Sequence, residues 1–162
     1  MSKRIRLDKI DRRILEVLQQ YGRISNVELA KRVALSPSPC LRRLQRLEET
    51  GVIDHYTAIL NPEKLGFGLL AFVNVSLDKR AESSTDTFKQ AVRDWPEVTE
   101  CYSMTGEMDY LLRVMVTDLQ HFSRFVMDKV LKQPGVLDVK SSFALEGVKR
   151  TTILPVEESL EP

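Results

Sequence analysis

The stretch "ALSPSPCLRRLQRLEETGVI", residues 34–53, decides how the front of the chain folds. Cys40, Leu41, Leu44 and Leu47 recur at helical spacing and the pattern stops at Gly51, which predicts a helix with one apolar stripe. Pro37 and Pro39 fall in its first turn. Amides there have no internal acceptor, so proline sacrifices little and stiffens the backbone. Ser36 and Ser38 are both candidate caps; proline disfavours the helical conformation in the residue before it, and the expectation tilts to Ser38. With the leucines turned inward, Arg42, Arg43 and Arg46 are expected on the outer face, three cations presented together.

Upstream, Ile10, Ile14, Val17, Leu18 and Tyr21 share the helical period, with Asp8 placed as N-cap and Gly22 as stop. "SNVE", residues 25–28, reads as a capping box in which Ser25 accepts from the third amide and Glu28 reaches back. Leu29, Ala30 and Val33 then line one face of a short second helix. Downstream, "VIDHYTAIL" has the β-branched and aromatic content of a short two-stranded extension. Three helices followed by a strand pair describe a winged helix-turn-helix, whose third helix enters the major groove. The candidate DNA contacts are Ser25 and Asn26 at the start of the second helix, with Ser36, Ser38, Pro39, Arg42, Arg43 and Arg46 on the third. Arginine suits that role, since its planar fork grips guanine edges or phosphate.

Charge supports a nucleic-acid partner for this half alone. The chain of 162 residues is balanced at +1, yet residues 1–60 hold twelve Lys or Arg against seven Asp or Glu, and residues 61–162 twelve against sixteen. No apolar run is long enough for a signal or a membrane span, so a cytoplasmic protein is expected. Cys40 and Cys101 are too few for a disulfide framework and are expected as buried free thiols; two histidines without metal-ligand spacing suggest no metal site. No cofactor is implied.

"NPEKLGFG", residues 61–68, marks a linker, and beyond it the period changes. "LLAFVNVSL" (69–77) alternates as a half-buried strand, and Phe88, Ala91, Val92 and Trp95 recur as on a helix. "VTECYSM" (98–104) and "YLLRVMV" (110–116) are two more strands around "TGEMD". Asp118 caps a helix through Leu119, Phe122, Phe125, Val126 and Val130, and "VLDVKSSFALE" (136–146) supplies the last strand. The order β-α-β-β-α-β predicts a ferredoxin-like antiparallel sheet with both helices on one face, so the fold class is α+β. The expected division is 1–60, linker 61–68, 69–154, and an acidic tail 155–162 left disordered. The uncovered sheet face calls for a second copy, at least a homodimer.

In "TGEMDY" (105–110), Gly106 permits an unusual backbone angle that exposes amides to an anion, and Glu107 or Asp109 can hold a cation. A free amino acid carries both charges. Met108 or Tyr110 is placed to shelter its side chain.

The run "LDKIDRRILEVLQQYGRISNVELAKRVALSPSPCLRRLQRLEETGVIDHYTAILNP" resembles the N-terminal domain of the Lrp/AsnC family of bacterial and archaeal transcription factors. "EVTECYSMTGEMDYLLRV" and "QPGV" are similar to that family's effector loop and to the approach to its last strand. The resemblance implies dimers that commonly build octameric discs, with an amino acid effector between neighbouring back-half domains. By resemblance the effector set is Gly106, Glu107, Met108 and Asp109, with Tyr102 and with Ser141, Ser142 and Phe143 of the last strand. The apolar flanks favour leucine or methionine. Two other functions compete: an architectural DNA-binding protein without an effector, and an enzyme resembling the sirohaem decarboxylases, which share this two-part architecture.

Overall fold

A computed structural model describes residues 5–78 and 84–156. Among them the chain forms two units: one runs to Ile59 and takes up the chain again from Lys149, and the other spans Leu60–Val148.

The first unit holds α1 (Lys9–Gln20), α2 (Asn26–Arg32) and α3 (Pro37–Glu49). Ile14, Leu15, Leu29, Ala30, Val33, Cys40 and Leu47 form its core. α1 opens with a reciprocal capping box that the sequence reading assigned to α2 instead. The Asp8 side chain accepts from the Ile10 and Asp11 amides, and the Asp8 amide donates to Asp11 Oδ2. In α2, Ser25 Oγ accepts from the Glu28 amide, but the Glu28 carboxylate turns to Lys31 and Arg32 rather than back to the cap. The N-cap position of α3 is Ser36 and not Ser38, although no side chain caps the helix, and Pro37 takes its first position. Leu41, expected inside, is 42% exposed. Tyr21 likewise leaves the core, and its ring lies 4.1 Å beneath the Arg32 guanidinium.

The strand pair expected over 52–60 is not formed among the described residues. A two-stranded ribbon is marginal without a third element to cover it, and this segment carries no turn signal. Tyr56 Oη donates instead to Glu48 Oε1, and burial together with that carboxylate pushes its phenol to about 12. The end of the chain also departs from the expected boundary. Gln19 Nε2 donates to the Leu154 carbonyl, the Leu154 amide donates to Gln19 Oε1, and Val156 packs on the first core. The rest of the acidic tail, 157–162, lies outside the described residues.

The second unit follows the expected order. β1 (Leu69–Leu77), α4 (Ser84–Arg93), β2 (Val98–Ser103), β3 (Tyr110–Val116), α5 (Leu119–Phe125) and β4 (Val136–Phe143) build an antiparallel sheet ordered β2-β3-β1-β4. Alternation decides the faces. Ala71, Val73, Val75 and Leu77 of β1 and Tyr110, Leu112, Val114 and Val116 of β3 are buried with Phe88, Trp95, Phe122 and Phe125 from the helical layer. Leu70, Phe72, Leu111 and Met115 alternate onto the opposite face, where they stay partly exposed. Two details differ from expectation. The last helix changes to a π-helical turn over Val126–Val130, and Cys101 on the edge strand β2 is exposed while Cys40 is buried. No helix among the described residues is long and apolar enough to cross a membrane.

One buried charge supports this packing. Glu97, 9% exposed, receives Lys129 Nζ at 2.7 and 2.9 Å, with His121 Nε2 3.6 Å away. Burial is the strongest single influence and opposes ionisation. The Lys129 hydrogen bond, with the neighbouring charge and backbone, outweighs it and holds the carboxyl below the usual glutamate range. A lowered folded pKa contributes stability that is fully present above the unfolded glutamate pKa and disappears as pH falls through the folded one. Glu97→Gln should therefore flatten the acid limb of a stability–pH curve; an unchanged limb would mean the pair contributes nothing to it.

Candidate functional site

In the first unit, the α2–α3 corner is tight. Ala34 takes a left-handed φ of 55°, and the Leu35 amide donates to the Ala30 carbonyl at 2.9 Å. Asn26 Nδ2 donates to the Pro37 carbonyl at 2.9 Å, tying the start of α2 to the start of α3. Asn26 is thus a brace of the corner. Ser25 caps α2, Pro39 is half-buried, and Ser36 and Ser38 stand exposed at the front of α3. Exposed hydroxyls at the positive end of the α3 dipole favour an anion such as phosphate.

The three arginines do not act alike. Arg42 is exposed and makes no ion pair among the described residues. Arg43 Nη1 reaches Asp8 Oδ2 at 2.6 Å and Asp11 Oδ1 at 2.8 Å, and Arg46 Nη2 bonds Asp11 Oδ2. Asp11 is 1% exposed. A carboxylate that deep is stable only when paired, and here two guanidinium groups and the Asp8 amide satisfy it. Sequence reasoning missed Asp11. Its signal was the spacing Asp-x-x-Asp at a helix start, one turn ahead of the core residue Ile14.

In the second unit, the β2–β3 loop is docked on the end of β1. The Asp109 amide donates to the Val75 carbonyl at 3.0 Å, the Leu77 amide donates to Asp109 Oδ2 at 2.8 Å, and the Met104 amide donates to the Asp109 carbonyl at 2.8 Å. Asp109 thus fastens the loop. Gly106, with φ 111°, sits where a side chain would strain the backbone, and Gly106 and Glu107 are exposed while Met108 is half-buried. Tyr102 Oη donates to Glu100 Oε2 at 2.8 Å, and that carboxylate raises its phenol pKa. Tyr110 turns away from the loop into the core, 5.0 Å from Phe88.

The last-strand residues lie elsewhere in the chain. The loop adjoins β1 at Val75–Leu77, whereas Ser141, Ser142 and Phe143 pair with Val73, Phe72 and Ala71 at its other half. Alternation places Ser141 and Ser142 on opposite faces, and Phe143 packs 5.0 Å from Phe122. One chain alone does not bring 106–109 and 141–143 together. Among the described residues no cluster of His, Cys, Asp and Glu is arranged to hold a metal.

Comparison with known proteins joins the two units into one functional type. Residues 7–54 match the family model "Winged helix-turn-helix DNA-binding", and residues 70–154 match "Lrp/AsnC ligand binding domain". The chain is 44% identical over 151 residues to leucine-responsive regulatory proteins of Klebsiella pneumoniae and Escherichia coli, covering 93% of this chain and 92% of each. A transcriptional regulator of Neisseria meningitidis solved as a complex with L-methionine superposes with a TM-score of 0.92 at 52% identity, over 96% of this chain and all of that one. An AsnC family regulator of Agrobacterium tumefaciens gives a TM-score of 0.87 at 39% identity, covering 93% of this chain and 97% of its own. These relatives are transcriptional regulators, which sets aside the enzymatic alternative. With a helix-turn-helix unit and a ligand-binding unit matched in order along one chain, the protein belongs to the Lrp/AsnC family of transcriptional regulators.

Proposed function

We infer that the chain binds promoter DNA through its first unit and a free amino acid, methionine or leucine, at a junction between copies of its second, with each ligand changing the affinity for the other. The observation that carries this reading is the loop over 104–109. Its fastening side chain, Asp109, faces β1, which leaves Gly106 and Glu107 exposed together as a turn of amides beside a carboxylate. Such a pair complements the carboxylate and ammonium of a zwitterion. The half-buried Met108 supplies an apolar neighbour. The relative solved with L-methionine supports an amino acid of that type, and the leucine-responsive relatives keep leucine beside it.

The same reading extends to assembly. Leu70, Phe72, Leu111 and Met115 on the open sheet face favour pairing with a second copy, and an octamer of such dimers would bring a loop and a last strand from different copies into one site. The protein would work in the cytoplasm, on roughly palindromic DNA, with no cofactor.

Titration calorimetry of the full chain against the twenty amino acids tests the ligand. Saturable heat with methionine or leucine and silence with most others is expected. Silence with all twenty would favour a DNA-organising protein without an effector.

A further inference from the structure

Resting on the DNA-binding reading above, we propose that α3 reads bases through Arg42 and Gln45, flanked by Ser38, whereas Arg43 and Arg46 form an internal clamp that sets the pitch of the helix. At roughly 100° per residue, Ser38, Arg42 and Gln45 fall within about 60° of one another, directly opposite the buried Cys40 and Leu47. All three are exposed. Arg42 and Gln45 make no hydrogen bond or ion pair among the described residues, so their forks are available. Arginine pairs bidentately with guanine O6 and N7, and glutamine with adenine N6 and N7. Glu49 continues the same row at the far end of the helix, where a carboxylate repels phosphate, so the DNA faces the first three turns.

The other two arginines are committed. A guanidinium that donates to Asp8 at 2.6 Å and Asp11 at 2.8 Å cannot swing to a base without abandoning a carboxylate that is 1% exposed. Arg43 and Arg46 are positioning residues. They join the C-terminal half of α3 to the first turn of α1, and so fix the angle at which Arg42 and Gln45 are offered.

The test uses the full chain, a duplex site selected by that protein from a randomised pool, and all single-base variants of the site. Wild type should lose roughly ten- to hundredfold at a G·C pair read by Arg42 and at an A·T pair read by Gln45. Arg42→Ala should flatten the profile at the first position only, and Gln45→Ala at the second only. Both side chains are exposed and unpartnered, so both variants fold. Wherever Cys40 remains protected from a thiol reagent, Arg43→Ala and Arg46→Ala should weaken binding at all positions of the site together without erasing the preference at any one of them; loss of that protection supports the clamp. Retention of the wild-type profile by either Arg42→Ala or Gln45→Ala overturns the assignment, as does a position lost in a folded clamp variant. A wild-type chain that selects no site fails earlier, at the DNA-binding reading itself.

Discussion

Replacing Arg43 and Arg46 together by alanine is expected to cost the first unit about 3–5 kcal/mol, because it leaves the buried Asp11 carboxyl without either guanidinium. Asp11→Ala should cost less. The side chains of Arg43 and Arg46 are 31% and 48% exposed, so once released they recover water, whereas an unpaired buried carboxylate does not. Aspartate to alanine therefore forfeits hydrogen bonds, and arginine to alanine strands a charge. The comparison is read by denaturant unfolding and, locally, by the reactivity of Cys40 in a Cys101→Ser background. Cys40 lies fully inside this unit and burial raises its thiol pKa, so it reacts only on opening, while Cys101 is exposed throughout. A double variant no less stable than Asp11→Ala would show that the carboxylate is not held by these arginines.

The second large effect lies in the loop. Asp109→Ala removes the side-chain acceptor of the Leu77 amide and loosens residues 104–109, while the backbone bond from residue 109 to the Val75 carbonyl stays. A hydrogen bond to a charged acceptor is worth about 1.5–3 kcal/mol, so the affinity for the amino acid should fall about ten- to hundredfold. In the proposed site Asp109 acts on the ligand through the loop that it holds. Asp109→Asn, which keeps one carbonyl oxygen for the Leu77 amide, should retain most of the affinity. DNA affinity without the amino acid should be unchanged in both variants. Calorimetry and anisotropy on the same preparations separate these effects; equal losses of amino acid and DNA binding would mean that Asp109 supports the whole molecule rather than the site.

These two sites show what the sequence makes legible. Period-two alternation in "LLAFVNVSL" and "YLLRVMV" marked β1 and β3 to the residue, since one face of each is fully buried. Helical spacing likewise located Ile14, Leu29 and Leu47 as core. The failures share a cause. Whether Arg43 points to solvent or to α1 depends on Asp8 and Asp11, some thirty residues away, and no local pattern encodes that distance. Asp109 shows the same limit of local reading: as one acid in a turn it reads as a ligand for a cation, and only the strand ladder adds that its side chain accepts from the Leu77 amide. The missing strand pair over 52–60 shows the converse, strand composition without a neighbour to complete a ladder. The cap position of α3 falls at Ser36, which is extended as a residue before proline prefers, while Ser38 is helical although it precedes Pro39.

The central claim is that amino acid and DNA binding are coupled in one assembly. It is tested most directly by measuring the coupling from both sides. Fluorescence anisotropy on duplex DNA from the chain's own upstream region, with and without saturating methionine or leucine, gives one factor. Calorimetric affinity for the amino acid, with and without that DNA, gives the other. Linkage requires the two factors to agree, at a coupling of about 1–3 kcal/mol, typical of allosteric proteins. An amino acid that binds tightly yet leaves DNA affinity unchanged, with DNA leaving its own affinity unchanged in return, would contradict the account.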